Sequence, residues 1–405
     1  MLERCAGIDV HKKSVTVCAI TPEGRETRSF GTMTRQLIEM MDWLESKEIR
    51  DVAMESTGPY WKPLYNLLEE RDFRLVLANA HHVKNVPGRK TDVKDAEWLA
   101  ELFQHGLIKG SYVPSREQRE LRELTRYRRD LIDEMTREVN RIQKVLEGGN
   151  IKLGDVATDV MGKSGRAMLK AMVEGESDPQ ALAQLARGKL TKKHEQLVEA
   201  LRGSMGPHQR MMLKMQLEHI EILERHLEEL DREVSERMRP FDELIGRIDE
   251  IDGVGRRTAE EILAEIGVDM SRFPSGAHLA SWAGMSPGNH ESAGKRKSGR
   301  TTKGNPHLRR TLVQAAHSAA RTRNTYFAAQ YKRLAARRGS KRAAVAVGHS
   351  ILITIYHVIK DGTQYHDLGS DHFDRINEQR TVKRAVERLE SLGYTVSLQR
   401  DTTAA

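Results

Sequence analysis

Between residues 6 and 105 short apolar runs alternate with amphipathic stretches, and that alternation leaves few folds open. Strand-like sequence fills 6–20, with Gly-Ile-Asp-Val-His-Lys near its start, and resumes over 26–31 after a Pro-Glu-Gly turn at 22–24. Periodicity then predicts a helix over 33–46, a strand over 51–55, a helix over 60–70, a strand over 74–78 and a helix over 91–105. A hairpin followed by strand–helix alternation implies an α/β domain built on a mixed sheet.

The rest of the chain reads as all-α. Residues 116–147 are highly charged, with Leu121, Leu124, Leu131, Met135, Val139, Ile142 and Val145 at helical spacing. A second such stretch, 208–239, places Ile220, Leu223, Leu227, Leu230 and Val234 at alternating steps of three and four. These are expected to be coiled-coil arms with no obvious partner inside the chain, the alternative being amphipathic helices packed on their own domain. Gly148, Gly149, Gly162, Gly165 and Pro179 mark the stretch between them as a helical linker. Beyond Pro240, a turn with Gly253 and Gly255 joins two helices, the second starting near Thr258. This pattern matches a helix-hairpin-helix, whose backbone amides grip a phosphate without reading sequence; ordinary helix packing uses the same turn. The expected organisation is an α/β domain over 1–112, arms over 113–148 and 207–240 flanking a helical linker over 149–206, a helical domain over 241–362, and a tail over 363–405.

Composition narrows the partners. The chain has 405 residues, is 31% charged and 5% aromatic, and carries a net charge of +8. Residues 292–360 hold sixteen Lys or Arg and no Asp or Glu, which leaves the rest of the chain net acidic at about −8. The positive charge is therefore local, and it suits an acidic polymer. The two cysteines, Cys5 and Cys18, sit in apolar sequence and provide neither a disulfide framework nor a zinc site. The apolar run 343–359 is interrupted by His349, Ser350 and His357 and reads as a buried helix rather than a membrane span, and the N-terminus lacks a signal pattern. A cytoplasmic protein with no membrane association is expected.

Acidic residues at strand ends carry the strongest chemical signal. Asp9 lies between Ile8 and Val10 inside an apolar strand, where a buried carboxylate needs a cation or hydrogen-bond donors. Glu55 closes the 51–55 strand just before Thr57-Gly58-Pro59. Asp92 and Asp95, three apart at a helix start, share a face. Carboxylates from two strands and a helix suit hard divalent ions such as Mg²⁺, two of which serve phosphoryl transfer. A capped or salt-bridged carboxylate is the structural alternative for each taken alone. His81 and His82 are adjacent, so on an extended strand they point oppositely and do not make a metal pair.

The elements Gly-Ile-Asp-Val-His-Lys, Met54 to Trp61 (MESTGPYW), GRKTDVKDAEWLAEL and the segment from Leu279 to Leu312 resemble the insertion-sequence one-ten transposase family, which includes the Piv DNA invertases. The resemblance covers both ends of the chain. It implies an N-terminal RuvC-like domain of RNase H fold whose acidic tetrad falls on Asp9, Glu55, Asp92 and Asp95. It also implies a catalytic serine in a motif resembling Ser-Ser-Gly-Gly-Lys. Here that stretch reads Glu291-Ser292-Ala293-Gly294-Lys295, so only Ser292 inherits the role, with Ser286 and Ser298 as neighbouring competitors. A serine hydroxyl needs activation. The cations Lys295, Arg296, Lys297, Arg300, Lys303, Arg309 and Arg310 would hold a phosphate nearby and stabilise charge on it. A basic loop that only binds nucleic acid is the alternative from residues alone.

Fold and function then follow as implications: α/β plus all-α, with an enzyme that cuts and exchanges strands of double-stranded DNA. Family kinship further implies a structured non-coding bridge RNA that pairs with donor and target, and a homo-oligomer, dimer or tetramer, in which one protomer's tetrad meets another's serine. Two other readings remain open. A RuvC-type nuclease or Holliday-junction resolvase would use metal-activated water and no serine, and a non-catalytic nucleic-acid-binding protein would use the basic region alone.

Overall fold

The computed structural model describes residues 1–56, 58–78, 95–108, 110–288, 290–292, 295–376 and 378–398. The chain divides into two compact units, Met1–Arg116 and Glu117–Ala405.

The first unit is a five-stranded sheet with helices on both faces. Its strands are β1 (Cys5–Val10), β2 (Ser14–Thr21), β3 (Gly24–Gly31), β4 (Asp51–Glu55) and β5 (Arg74–Ala78), in the order β3-β2-β1-β4-β5. The β1–β2 and β2–β3 pairs are antiparallel, and β1–β4 and β4–β5 are parallel. The hairpin comes first and the crossovers follow, as the alternation predicts. Pleating separates two sets of side chains. Ile8, Val10, Val52 and Met54 face the helices α1 (Thr34–Ser46) and α2 (Trp61–Glu70), packing with Met40, Leu44, Leu64 and Leu68. Cys5, Cys18, Ala53 and Ala78 face α3 (Asp95–Gln104), packing with Ala96, Leu99, Ala100 and Phe103. Because both faces are covered, β1 is apolar except at Asp9 and β4 is apolar between its charged ends. Gly7 lets α3 lie flat on β1: a Cβ there would meet Ala100 N at 2.4 Å and Ala96 O at 2.5 Å. Both cysteines are fully buried free thiols, and burial pushes the Cys5 thiol up to about 11.

The second unit is mostly helical. Two long helices, α4 (Arg116–Gly148) and α9 (Pro207–Met238), dominate its first half. Between them α5 (Leu153–Val156), α6 (Lys163–Glu174), α7 (Pro179–Gln184) and α8 (His194–Ala200) share one core with both: Leu153, Met168, Leu169, Met172 and Leu197 pack with Ile142, Leu146, Leu213, Leu217 and Ile220. The stretch expected as a helical linker is helical, and it packs into one shared core with both long helices.

The apolar ladder of 208–239 also has a partner within the chain, contrary to expectation. Leu223 and Leu227, 3% and 6% exposed, close on Leu131 of α4, with Ile132, Met135 and Leu230 at the margin. Heptad-like spacing states that a face is apolar and not which helix covers it. Leu227→Ala is therefore expected to destabilise the folded chain by about 2–3 kcal/mol through the cavity it leaves, without changing its oligomeric state. Urea denaturation alongside sedimentation tests this; a smaller assembly of undiminished stability would return the ladder to a contact between chains.

The second half holds α10 (Asp242–Asp249), α11 (Arg256–Ile266), α12 (Gly276–Trp282), a hairpin of β6 (His290–Ser292) and β7 (Lys295–Ser298), then α13 (Pro306–Ala319), α14 (Tyr326–Arg338), α15 (Ser340–Asp361), α16 (His372–Ile376) and α17 (Glu378–Ser391). Helix α15 is long and apolar enough to cross a membrane, but Ala343, Val347, Ile351, Leu352 and Ile355 are buried in the unit, where α12, α13 and α14 pack on it.

Candidate functional site

The sheet brings two of the four sequence-derived carboxylates, Asp9 and Glu55, to one end and one face, and a third, Asp95, begins the helix that covers that face. The β1–β4 register pairs Ile8 with Met54, so the next residues, Asp9 and Glu55, end adjacent parallel strands. By pleat parity both share the face of Cys5, Gly7 and Ala53, the face under α3. Helix α3 runs antiparallel to β1: Leu2 N donates to Gln104 O at 3.0 Å and the Cys5 thiol to Ala100 O at 3.9 Å, while Ala96 lies over Gly7. Asp95, its first residue, therefore stands above the strand ends that carry Asp9 and Glu55. Asp92 lies outside the described residues, as do His81 and His82.

Asp9 is one-fifth exposed, with His11 Nδ1 at 3.4 Å from its Oδ2. Glu55 is half-buried, and among the described residues no donor or cation lies against its carboxylate. Among the described residues no group of three His, Cys, Asp or Glu side chains is close enough to enclose a metal ion.

In the second unit the basic motif forms a hairpin rather than a loop. Glu291 pairs with Arg296 and Ser292 with Lys295, so Ser292 ends β6 at the tip, and Lys295, Arg296 and Lys297 lie along β7. Ser298 pairs with His290 farther from the tip, and Ser286 precedes the hairpin, half-buried. The base is clamped. Gly288 N donates to Arg300 O at 2.8 Å, Pro287 bridges to Thr301, and a Cβ on Gly304 would sit 2.2 Å from Gly284 N.

Two of the expected phosphate binders have internal work. The Arg309 guanidinium donates to Gly284 O at 3.1 Å and to Thr301 Oγ1, fastening the hairpin base. Arg310 forms a bidentate pair with Asp133, 2.6 Å on each arm, and its hydrogen bond holds the Asp133 carboxyl below the usual range. Arg300 and Lys303 are exposed.

The Gly253 turn also looks inward. Gly253 has φ +84°, and a Cβ would lie 2.4 Å from Ala315 O and 2.5 Å from Ala319 N, so the glycine lets the turn seat against α13. Gly255 is exposed before the first turn of α11, which starts at Arg256 rather than near Thr258.

Sequence reasoning passed over Glu265, which organises this region. The carboxylate is 4% exposed and accepts a bidentate pair from Arg126 of α4, 2.7 and 2.8 Å, and a 2.6 Å bond from Asn305 Nδ2. Asn305 in turn caps α13 by accepting from His307 N and Leu308 N. One buried acid therefore joins α4, α11 and the start of α13. A glutamate near the end of an amphipathic helix carries no visible mark of this until its partners, 139 and 40 positions away, are placed.

Two family models match the chain. Residues 6–151 match one described as a transposase, and residues 246–332 match the transposase IS116/IS110/IS902 family. Similar proteins include a probable family 20 transposase of Pseudomonas aeruginosa, 25% identical over 67% of this chain and 71% of that one. Another is the transposase for insertion sequence element IS1111A of Coxiella burnetii, 24% identical over 85% of this chain and 86% of its own.

Proposed function

This chain belongs to the IS116/IS110/IS902 transposase family, and from that premise we propose that it is a DNA recombinase using a metal-bound acidic cluster and a serine nucleophile, guided by a structured non-coding RNA. The observation that supports the reading is the placement of Asp9 and Glu55 at the ends of adjacent parallel strands, with Asp95 at the start of the helix packed on that face of a mixed sheet, an arrangement in keeping with a RuvC-like, RNase H-type domain. These three, with Asp92, offer oxygen ligands of the kind hard divalent ions take. A Mg²⁺ pair held there would supply Lewis-acid stabilisation of the charge at a scissile phosphate.

The residues of the second unit have complementary work. The hairpin is a two-stranded basic ribbon of the kind a DNA major groove admits. Lys295, Arg296 and Lys297 would neutralise phosphates, and Arg300 and Lys303 would extend that contact beyond the base. Gly255, at the open end of α11, would offer backbone N–H to the nucleic-acid backbone. Ser292 at the tip would attack a phosphorus, forming an O–P bond as the departing strand's oxygen leaves with a proton. Delegation of sequence reading to base pairing with RNA fits a protein surface that offers charge and backbone contact.

The test uses isosteric changes. Asp9→Asn and Glu55→Gln should each slow strand cleavage with Mg²⁺ by about 10²-fold or more, the scale of losing one electrostatic contributor to a transition state, with circular dichroism and DNA affinity unchanged. Full activity in either variant would remove that residue from the site and, for both, the metal reading itself.

A further inference from the structure

Beside the hairpin base the second unit has an open groove of about 1020 Å³ whose lining contains no acidic residue. Its walls are Pro287 and Thr301 from the hairpin base, the end of α14, and the first three turns of α15. The rim is cationic and exposed: Arg300, Arg338, Lys341 and Arg342. The floor is different, formed by buried Met285 and half-buried Val345, Ala346 and His349.

Two physical arguments make the rim a place for an anion. Lys341 and Arg342 occupy the first turn of α15, where the helix dipole disfavours positive charge. Among the described residues neither of them, nor Arg338, has a carboxylate partner. Three cations gathered with no carboxylate partner among the described residues repel one another, and phosphates would relieve that repulsion. The floor suits a flat and partly polar group. Burial holds the His349 imidazole below its usual range, so at neutral pH it offers one donor and one acceptor without charge.

We propose that this groove seats a single-stranded segment of nucleic acid, its phosphates on Arg300, Arg338, Lys341 and Arg342 and a base on the floor of Met285, Val345, Ala346 and His349. The inference rests on the reading that the second unit handles nucleic acid, and it assigns a second site distinct from the hairpin tip. The size agrees: roughly 300–1,000 Å³ encloses a drug-sized ligand, hence a nucleotide or two of one strand. A cationic track beside surfaces that receive bases is how single strands are held without sequence preference. Both single-stranded DNA and single-stranded RNA present this chemistry.

The experiment measures fluorescence anisotropy of the full chain with labelled single-stranded DNA, RNA of the same sequence, and duplex DNA, over a salt series. Combined Arg338→Gln, Lys341→Gln and Arg342→Gln should weaken single-strand binding at least about tenfold and flatten the log–log salt slope by about 2, from roughly 0.7 per phosphate lost. Ala346→Phe, which fills the floor and keeps every cation, should weaken single strands and spare duplex. Loss confined to RNA or to DNA supports the site and identifies its source. Unchanged single-strand affinity and slope in the triple variant would overturn the proposal, as would equal losses on duplex. Arg296→Gln with Lys297→Gln separates the two levels of argument. If that pair weakens duplex binding while the groove variants change nothing, the groove fails and the functional reading stands. If neither set alters binding of any nucleic acid, the reading of the second unit fails with it.

Discussion

Ser292→Ala is expected to bind nucleic acid normally and to yield neither a covalent protein–DNA adduct nor a recombinant product. Removing a protein nucleophile from a site organised around it slows the reaction by about 10⁴–10⁶-fold. A nick-bearing suicide substrate should trap the unaltered chain on DNA, because the cleaved fragment diffuses away before it can reverse the step, and peptide mapping should place the DNA on Ser292. The hairpin argues for this serine over its neighbours. Ser292 ends β6 at the tip, whereas Ser298 lies opposite His290 nearer the base and Ser286 precedes the hairpin half-buried. Binding should persist because the cations from Lys295 to Lys303 remain. An adduct on Ser286 or Ser298 would keep the mechanism and correct the residue. Cleavage by Ser292→Ala at the normal rate would mean that water attacks, and a metal-dependent nuclease would replace the recombinase.

How much of this was legible depended on whether a signal was local. Strands β4 and β5 follow the expected bounds because β-branched and apolar residues there are bracketed by charges and turns. The long helices α4 and α9 were equally visible, since more than eight turns of amphipathic pattern leave no other assignment. Their mutual packing was not, because a leucine ladder is silent about its partner. The β6–β7 hairpin was missed for a different reason. Three or four mostly polar residues per strand show no alternation of apolar and polar, and the hairpin is fixed from outside by Arg309, Gly304 and Thr301. Arg309 itself was read by charge alone as a phosphate binder, although its guanidinium is engaged in that clamp. The position of Asp9 was readable because an acid inside an apolar strand is locally anomalous. The cations of the groove were not, since Arg338, Lys341 and Arg342 resemble any solvated helix end until Arg300 is brought alongside.

Glu265→Ala is expected to destabilise the chain by about 3–5 kcal/mol, the usual consequence of removing one partner from a buried ion pair. The size follows from what is left behind. Arg126 and Arg122, one-third and one-eighth exposed, would lose the carboxylate that both face, and Asn305 Nδ2 would lose its acceptor. Arg122 and Gln118 would still satisfy the last carbonyls of α11, with Ala264 O at 3.1 Å from each, so the helix end survives and the loss reports the charge network. Glu265→Gln retains an acceptor for Asn305 and should fall between the two. The pH dependence has a definite sign. Burial alone would raise the Glu265 carboxyl, but the hydrogen bonds and charge of Arg126, then Asn305 and Arg122, bring it below its ordinary value of 4.5. A depressed carboxyl contributes its full stabilisation above its unfolded pKa and loses it as pH falls through the folded value. The difference between the unaltered chain and Glu265→Ala should thus be constant near neutrality and shrink only in acid below about 4.5. Because Asn305 caps α13 and leads directly from the hairpin base, Glu265→Ala should also lower strand cleavage beyond what its unfolded fraction explains. Denaturation curves at several pH values decide the matter: a loss under about 1 kcal/mol, the range of an exposed pair, would show that Glu265 does not hold α4, α11 and α13 together.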